Sequence, residues 1–257
     1  MKINDCPSML PFQIKICGLT NVDDTRWACQ CGADAIGLNF YGKSKRFVDS
    51  DQASAIAYEI DRFNQQLDEQ STVQNVRVLK VGVFVGMPVA ELLEISKRHG
   101  LDGIQLHGDE APDVVEAIRS GLSKNGQTCF LIRAIRSLPK ELGTASNSKQ
   151  ESARLSAEIT SWTAAGIDFV LLDAAMPGEY GGTGKVIDIA NISDLTSEIP
   201  LVLAGGLTPS NVADAILESG LSAVDVASGV ESAPGLKDRR KVKEFVQLAM
   251  KSFQRIG

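Results

Sequence analysis

Two apolar runs in the chain each end on a side chain able to move a proton. They are Gln13-Ile14-Lys15-Ile16-Cys17-Gly18 near the start and Asp168-Phe169-Val170-Leu171-Leu172-Asp173-Ala174 two thirds of the way along. A buried strand carrying a thiol or a carboxylate at its C-terminal tip is how a parallel barrel presents catalytic groups. The pattern of an apolar run followed by glycine or a polar residue recurs down the chain, so both tips are expected to face one cavity. Cys17 and Asp173 are the leading acid/base pair.

Other residues could join them. His107 ends Gly103-Ile104-Gln105-Leu106-His107, where a period of two sets it on the same side as Gln105; the bland alternative is a polar tip satisfying loop backbone. Arg46, in Tyr41-Gly42-Lys43-Ser44-Lys45-Arg46-Phe47, could offer a bidentate fork to a carboxylate, against a reading as part of a surface charge run. The second histidine, His99, precedes Gly100 and reads as a helix C-terminal dipole partner rather than a catalyst.

Two glycine tips suggest an anion site. Ala204-Gly205-Gly206-Leu207-Thr208-Pro209 and Val226-Ala227-Ser228-Gly229-Val230-Glu231 each follow an apolar run. Backbone N–H groups there, with the Ser228 hydroxyl, could grip a phosphate, as the loops after strands seven and eight of many barrels do. Pro177 to Lys185 looks like a nucleotide loop but fails the test. Glu179 stands where the first glycine is needed, and Val186 replaces the magnesium-binding Ser or Thr. What remains is a glycine-rich loop placed to close over a ligand.

The elements needed to position these groups can be read from periodicity. Candidate strands lie near 13–17, 35–40, 79–85, 103–107, 129–135, 168–173, 200–204 and 223–227, eight in all. Amphipathic stretches alternate with them: 21–31, 50–68, 88–98, 111–122, 152–164, 187–196, 210–219 and 239–253. Asn21 with Asp23 and Asp24, and Ser210-Asn211 with Asp214, mark helix starts; Gly32, Gly100 and Gly166 mark ends. Eight βα units without a composition break predict one (β/α)8 barrel of the TIM type over 1–257, with parallel strands. Residues 1–12 are a short N-terminal extension. Residues 63–77 and 137–151 read as polar loop insertions, the first on the stability face, where a solvated helix extension is also open, and the second on the catalytic face.

Bulk properties narrow the class. Of the 257 residues 44% are hydrophobic but only 5% aromatic, which suits an aliphatic core of buried parallel strands. The net charge of −6, without a dense basic run, argues against nucleic acid and anionic membrane as partners. No run approaches a membrane span, and the first dozen residues carry no basic-then-apolar leader, so a cytoplasmic protein is expected. Five cysteines, Cys6, Cys17, Cys29, Cys31 and Cys129, show no paired CxxC spacing, so neither disulfides nor a zinc site is expected. Apart from Cys17, those in the barrel read as small buried hydrophobes.

The ordered set of segments resembles the phosphoribosylanthranilate isomerases of tryptophan biosynthesis. The match is carried by Lys15-Ile16-Cys17-Gly18-Leu19-Thr20, the 32–40 segment with Ser44 and Arg46, Val81 to Phe84, Gln105-Leu106-His107-Gly108-Asp109-Glu110, and Leu171-Leu172-Asp173. It continues through Tyr180 to Lys185, Leu203 to Pro209, and Val224 to Glu231 with Pro234-Gly235 and Lys237-Asp238. The resemblance implies an Amadori rearrangement of N-(5-phosphoribosyl)anthranilate, without cofactor or metal. It implies that Asp173 is the general acid at the ribose ring oxygen and Cys17 the general base at C2. Arg46 would hold the anthranilate carboxylate, His107 and Asp225 would line the pocket, and Gly205, Gly206, Ser228 and Gly229 would bind phosphate. A phosphorylated small molecule is the expected partner, and the chain would act as a monomer or homodimer.

That chemistry makes two opposite demands. The acid needs a raised carboxyl pKa, for which an apolar strand end is suitable. The thiol base needs a lowered one, and Lys15, two residues away on the same face, is the candidate source. Ile187-Asp188-Ile189 and Ala227 depart from the family pattern without touching the proposed chemistry. The rival readings are another phosphate-binding barrel enzyme, disfavoured by the cysteine on strand one, and a non-catalytic sugar-phosphate binder, disfavoured by the presence of both acid and base.

Overall fold

The computed structural model describes residues 10–70, 77–137, 145–174, 192, 195 and 197–256. Eight parallel strands close on themselves: β1 Ile14–Cys17, β2 Ala35–Asn39, β3 Leu79–Phe84, β4 Gly103–Leu106, β5 Phe130–Ser137, β6 Phe169–Ala174, β7 Leu201–Leu203 and β8 Val224–Val226, with β8 hydrogen-bonded back to β1. The (β/α)8 barrel read from the sequence is therefore present. Around it pack α1 Val22–Cys31, α2 Ser50–Gln70, α3 Val89–His99, α4 Val114–Lys124, α5 Ala145–Ala165, α6 Val212–Ser219 and α7 Arg239–Ile256. The helix expected over 187–196 lies almost wholly outside the described residues, as does the glycine-rich 177–185 loop.

Strand periodicity sorts the side chains into two layers. In β1, Ile14 and Ile16 join the shell between strands and helices, while Lys15 and Cys17 turn inward. The same alternation sends Leu171 and Asp173 of β6 into the barrel and Val170 and Leu172 out of it. A small apolar plug of Ala35, Val81, Ile132, Phe169, Leu171, Val202 and Ala223 fills the lower barrel. Polar side chains can thus appear inside only near the strands' C-terminal ends, where the cavity opens.

Local signals account for the helix ends. The Asn21 side chain accepts from the Asp24 N–H at 2.8 Å, and Gly32 closes α1 at φ 97°. Gly100 closes α3 at φ 58° behind Lys97, Arg98 and His99. His99 is buried, stacks on Phe40 at 5.8 Å and faces the Ser54 hydroxyl, so packing rather than a helix dipole governs it. Burial also pulls its pKa down.

The two polar stretches expected as loops are helical in part. Helix α2 runs through Gln70 and so takes in 63–70, and α5 begins at Ala145 and takes in 145–151. Both segments carry good helix formers, among them Gln65, Gln66, Leu67, Lys149 and Gln150, which extend a helix already nucleated by its packed part. Residues 71–76 and 138–144 lie outside the described residues, as do residues 1–9 of the N-terminal extension. Among the described residues no helix is long and apolar enough to cross a membrane.

Candidate active site

A cleft of about 740 Å³, counting its open mouth, lies at the C-terminal end of the barrel strands. Cys17, Arg46, His107, Asp173, Gly205, Gly206, Asp225, Ser228 and Gly229 all border it. These nine residues come from six separate segments of the chain, and the barrel brings them together. Asn39, Tyr41, Ser44 and Gln105 complete its polar lining.

Cys17 is buried at the tip of β1, in register with Gly37 of β2. A Cβ on Gly37 would stand 2.6 Å from the Cys17 Sγ, so the glycine makes room for the thiol. One pleat below, Lys15 is fully buried and donates to Asp225 Oδ1 at 2.6 Å and to Gln105 Oε1 at 3.0 Å. Burial opposes the ammonium charge, but Asp225 and Cys17 outweigh it and hold the Lys15 pKa above its ordinary value.

The thiol does not follow expectation. Burial pushes the Cys17 pKa up, and the lowering effects of Lys15 and Lys237 do not overcome that burial and the nearby Asp225 carboxylate. From the sequence, Lys15 is the candidate group for lowering the Cys17 pKa. Its charge is instead largely answered by Asp225, a partner 210 positions away in the chain. Burial therefore favours the neutral thiol form of Cys17 in the free protein. Of the remaining described cysteines, Cys29 and Cys129 are buried as expected, and burial drives the Cys29 thiol up to about 12, whereas Cys31, at the C-terminal end of α1, is only half-buried.

Asp173 is buried at the tip of β6, with His107 Nε2 3.4 Å from its Oδ2. His107 and Gln105 share a side of β4, as the period of two required, and Gln105 Nε2 meets His107 Nδ1 at 2.9 Å. Just beyond, Glu110 accepts the Gly86 and Gly108 N–H groups at 2.7 and 2.9 Å and pairs with Arg133 at 2.8 Å. It ties the loops after β3 and β4 to the outer face of β5.

Arg46 presents a fork, but a protein carboxylate already fills part of it. Its Nε and Nη2 donate to Glu231 Oε1 and Oε2, both at 2.7 Å. Glu231 opens β9, Glu231–Ala233, which pairs with β10, Leu236–Lys237, in a hairpin after β8. Lys237 Nζ, almost wholly buried, donates to the same carboxylate at 2.9 Å and to the Cys17 carbonyl at 2.8 Å. Neither Glu231 nor Lys237 has a role assigned from the sequence alone. Their available signal was the pairing of a carboxylate and a lysine within seven residues of the loop after β8.

The two glycine loops meet each other. Gly205 and Gly206 have φ 81° and 65°, a run only glycine adopts without strain. Gly229 serves a different need: a Cβ there would lie 1.7 Å from the Leu207 carbonyl oxygen. The loop after β8 thus presses directly on the loop after β7. Asn211, expected to cap α6, makes no such cap; its side chain accepts from the Thr208 N–H at 2.7 Å and donates to the Gly206 carbonyl at 3.0 Å, bracing this loop.

Among the described residues no group of three or more His, Cys, Asp or Glu side chains is arranged to hold a metal ion. The chain matches the family model for N-(5'phosphoribosyl)anthranilate (PRA) isomerase over residues 14–248. It is 36% identical to an N-(5'-phosphoribosyl)anthranilate isomerase of Geobacter metallireducens, over 92% of this chain and 98% of that protein. A monomeric form of the dimeric phosphoribosylanthranilate isomerase of Thermotoga maritima shares its fold with a TM-score of 0.69 at 28% identity, covering 93% of this chain and 99% of that one. A phosphoribosyl anthranilate isomerase solved in complex with reduced 1-(o-carboxyphenylamino)-1-deoxyribulose 5-phosphate has the same TM-score of 0.69, identity of 28% and coverages of 93% and 99%.

Proposed function

Because the chain belongs to the N-(5'-phosphoribosyl)anthranilate isomerase family and catalyses that isomerisation in tryptophan biosynthesis, we propose that Asp173 is its general acid and Cys17 its general base. The observation that carries this reading is the common cleft. A carboxyl on β6 and a thiol on β1 open into one cavity, beside two glycine loops that end β7 and β8.

The reaction needs one proton delivered and one removed. Asp173 gives its proton to the ribose ring oxygen as the bond from that oxygen to C1 breaks, and the anthranilate nitrogen lone pair forms the iminium. Cys17, having released its thiol proton to solvent, then takes the C2 proton as the thiolate. The C2–H bonding electrons form the C1–C2 double bond of the enolamine as the iminium π electrons return to nitrogen, and tautomerisation yields the ketose. The enzyme is left with a carboxylate at 173 and a neutral thiol at 17. The iminium cation lowers the barrier at C2, so a thiolate is needed only once that charge exists. Lys15, on the same inner face, is the cation that supports the thiolate while it lasts.

Phosphate binding falls to Gly205, Gly206, Ser228 and Gly229. The reduced product analogue bound by the related enzyme carries both a phosphate and an aryl carboxylate. The aryl carboxylate suits Arg46, whose Nη1 makes no hydrogen bond among the described residues while Nε and Nη2 hold Glu231. Asp225 and His107 form the wall between. The free thiols support a reducing, cytoplasmic setting.

The substrate can be generated in place from anthranilate and phosphoribosyl pyrophosphate by the upstream transferase, and its fluorescence decay followed. Fast decay is expected with the wild-type chain, and near-background decay with either Cys17→Ala or Asp173→Asn. Near-normal decay with one variant removes that residue from its role.

A further inference from the structure

Gln105 stands between Lys15 and His107, and the donors and acceptors along this line permit one arrangement. An ammonium group can only donate, so the Gln105 oxygen must be the atom 3.0 Å from Lys15 Nζ. Asp225 anchors that ammonium at 2.6 Å. With its oxygen engaged, Gln105 turns its NH2 to His107 Nδ1 at 2.9 Å. Nδ1 must then accept, and the single proton of a neutral imidazole sits on Nε2. Nε2 is buried, has no hydrogen-bond partner among the described residues, and lies 3.4 Å from Asp173 Oδ2.

We propose that Lys15 and Gln105 are positioning residues that lock His107 in its Nε2–H tautomer, so that it donates to the Asp173 carboxylate as that carboxylate forms. The second half rests on the assignment of Asp173 as the general acid. In the free protein the contact from Nε2 to Asp173 is too long and poorly directed to be a hydrogen bond. When its proton passes to the ring oxygen, a charged acceptor appears beside a fixed donor, and charge-assisted hydrogen bonds are about twice as strong as neutral ones. An interaction that grows along the reaction coordinate lowers the barrier rather than only tightening binding. The opposite tautomer would face the new charge with a lone pair.

The chain has two histidines, so long-range 15N–1H correlation spectra, with His107→Asn for assignment, read each tautomer directly. The wild-type protein without substrate is expected to show a bare Nδ1 and a protonated Nε2 at His107. Gln105→Glu faces Nδ1 with an acceptor, so Nδ1 should become protonated. In that variant kcat should fall about ten- to a hundredfold with KM within about twofold, the split expected when a positioning contact is lost. A residue that merely packs would leave the tautomer unmoved. Nδ1–H in the wild type, a bare Nδ1 in Gln105→Glu, or an unchanged kcat after the tautomer has shifted would each overturn the inference. The wild-type spectrum needs no variant to fold and no turnover, so it is decided separately from the acid assignment, which Asp173→Asn tests.

Discussion

Arg46 and Glu231, 185 positions apart in the chain, are joined by two parallel hydrogen bonds of 2.7 Å, Nε to Oε1 and Nη2 to Oε2. Glu231 also receives Lys237. One buried carboxylate therefore links the loop after β2 to the hairpin after β8. Burial works to raise the Glu231 pKa, but the Arg46 hydrogen bonds and Lys237 more than offset it, and the net shift is downward from 4.5. A carboxylate depressed in the folded state stabilises above its unfolded pKa, and that contribution is lost as the pH falls through the folded value. Urea unfolding should thus show wild-type stability falling below about pH 4.5, with Glu231→Gln removing the part of that dependence that Glu231 contributes. An unchanged acid limb in the variant would refute the linkage.

Cys17→Ala and Asp173→Asn should each lower turnover by two or more decades, within the roughly 10²–10⁴-fold range of general acid/base groups. Affinity for the reduced product analogue should change little, because neither change removes a carboxylate or phosphate contact. Parallel loss of affinity and turnover would point to a binding role instead.

Since burial raises the Cys17 pKa, the thiolate fraction of the free enzyme stays small at neutral pH and grows only as the pH climbs past the ordinary thiol value of 9.0. Alkylation of Cys17 by iodoacetamide, followed by peptide mass spectrometry, should accelerate with pH and show a midpoint above 9.0. A midpoint below that value would mean that Lys15 and Lys237 win over burial.

Lys15→Met leaves Asp225 without its partner inside the barrel. Breaking a buried pair on one side is expected to cost about 3–5 kcal/mol of unfolding free energy. Urea titration checks it, and a loss below about 1 kcal/mol would show that Asp225 finds other compensation.

Gly229→Ala sets a methyl against the Leu207 carbonyl oxygen, 1.7 Å from the ideal Cβ position. Both atoms belong to backbone-defined loops, so the loops after β7 and β8 must separate, at about 1–3 kcal/mol by analogy with overpacked cores. Inorganic phosphate should inhibit the variant more weakly than the wild type, and KM should rise more than kcat falls. Wild-type phosphate inhibition would remove this loop contact from the anion site.

Much of this molecule is legible locally. Each strand was visible because parallel buried strands are short, continuous and rich in Val, Ile and Leu. Each inward residue followed from the period of two once a strand was located, as with Gln105 beside His107 and Lys15 beside Cys17. Element ends were less legible: α2 and α5 extend into polar segments whose pattern resembles a loop, because helix propagation from a packed segment tolerates a solvated end.

The sequence by itself determined the barrel, the two reactive tips and the glycine loops, because these depend on periodicity and on residue types within a few positions of one another. Only the tertiary structure decided whom each charged group meets. Lys15 turns to Asp225 rather than acting chiefly on Cys17, Arg46 grips Glu231, and Asn211 braces the Gly206 loop instead of capping its helix. The physical reason is that electrostatics inside a barrel are set by spatial neighbours and by desolvation. Both are fixed only when β1 meets β8 and the cleft closes around the thiol.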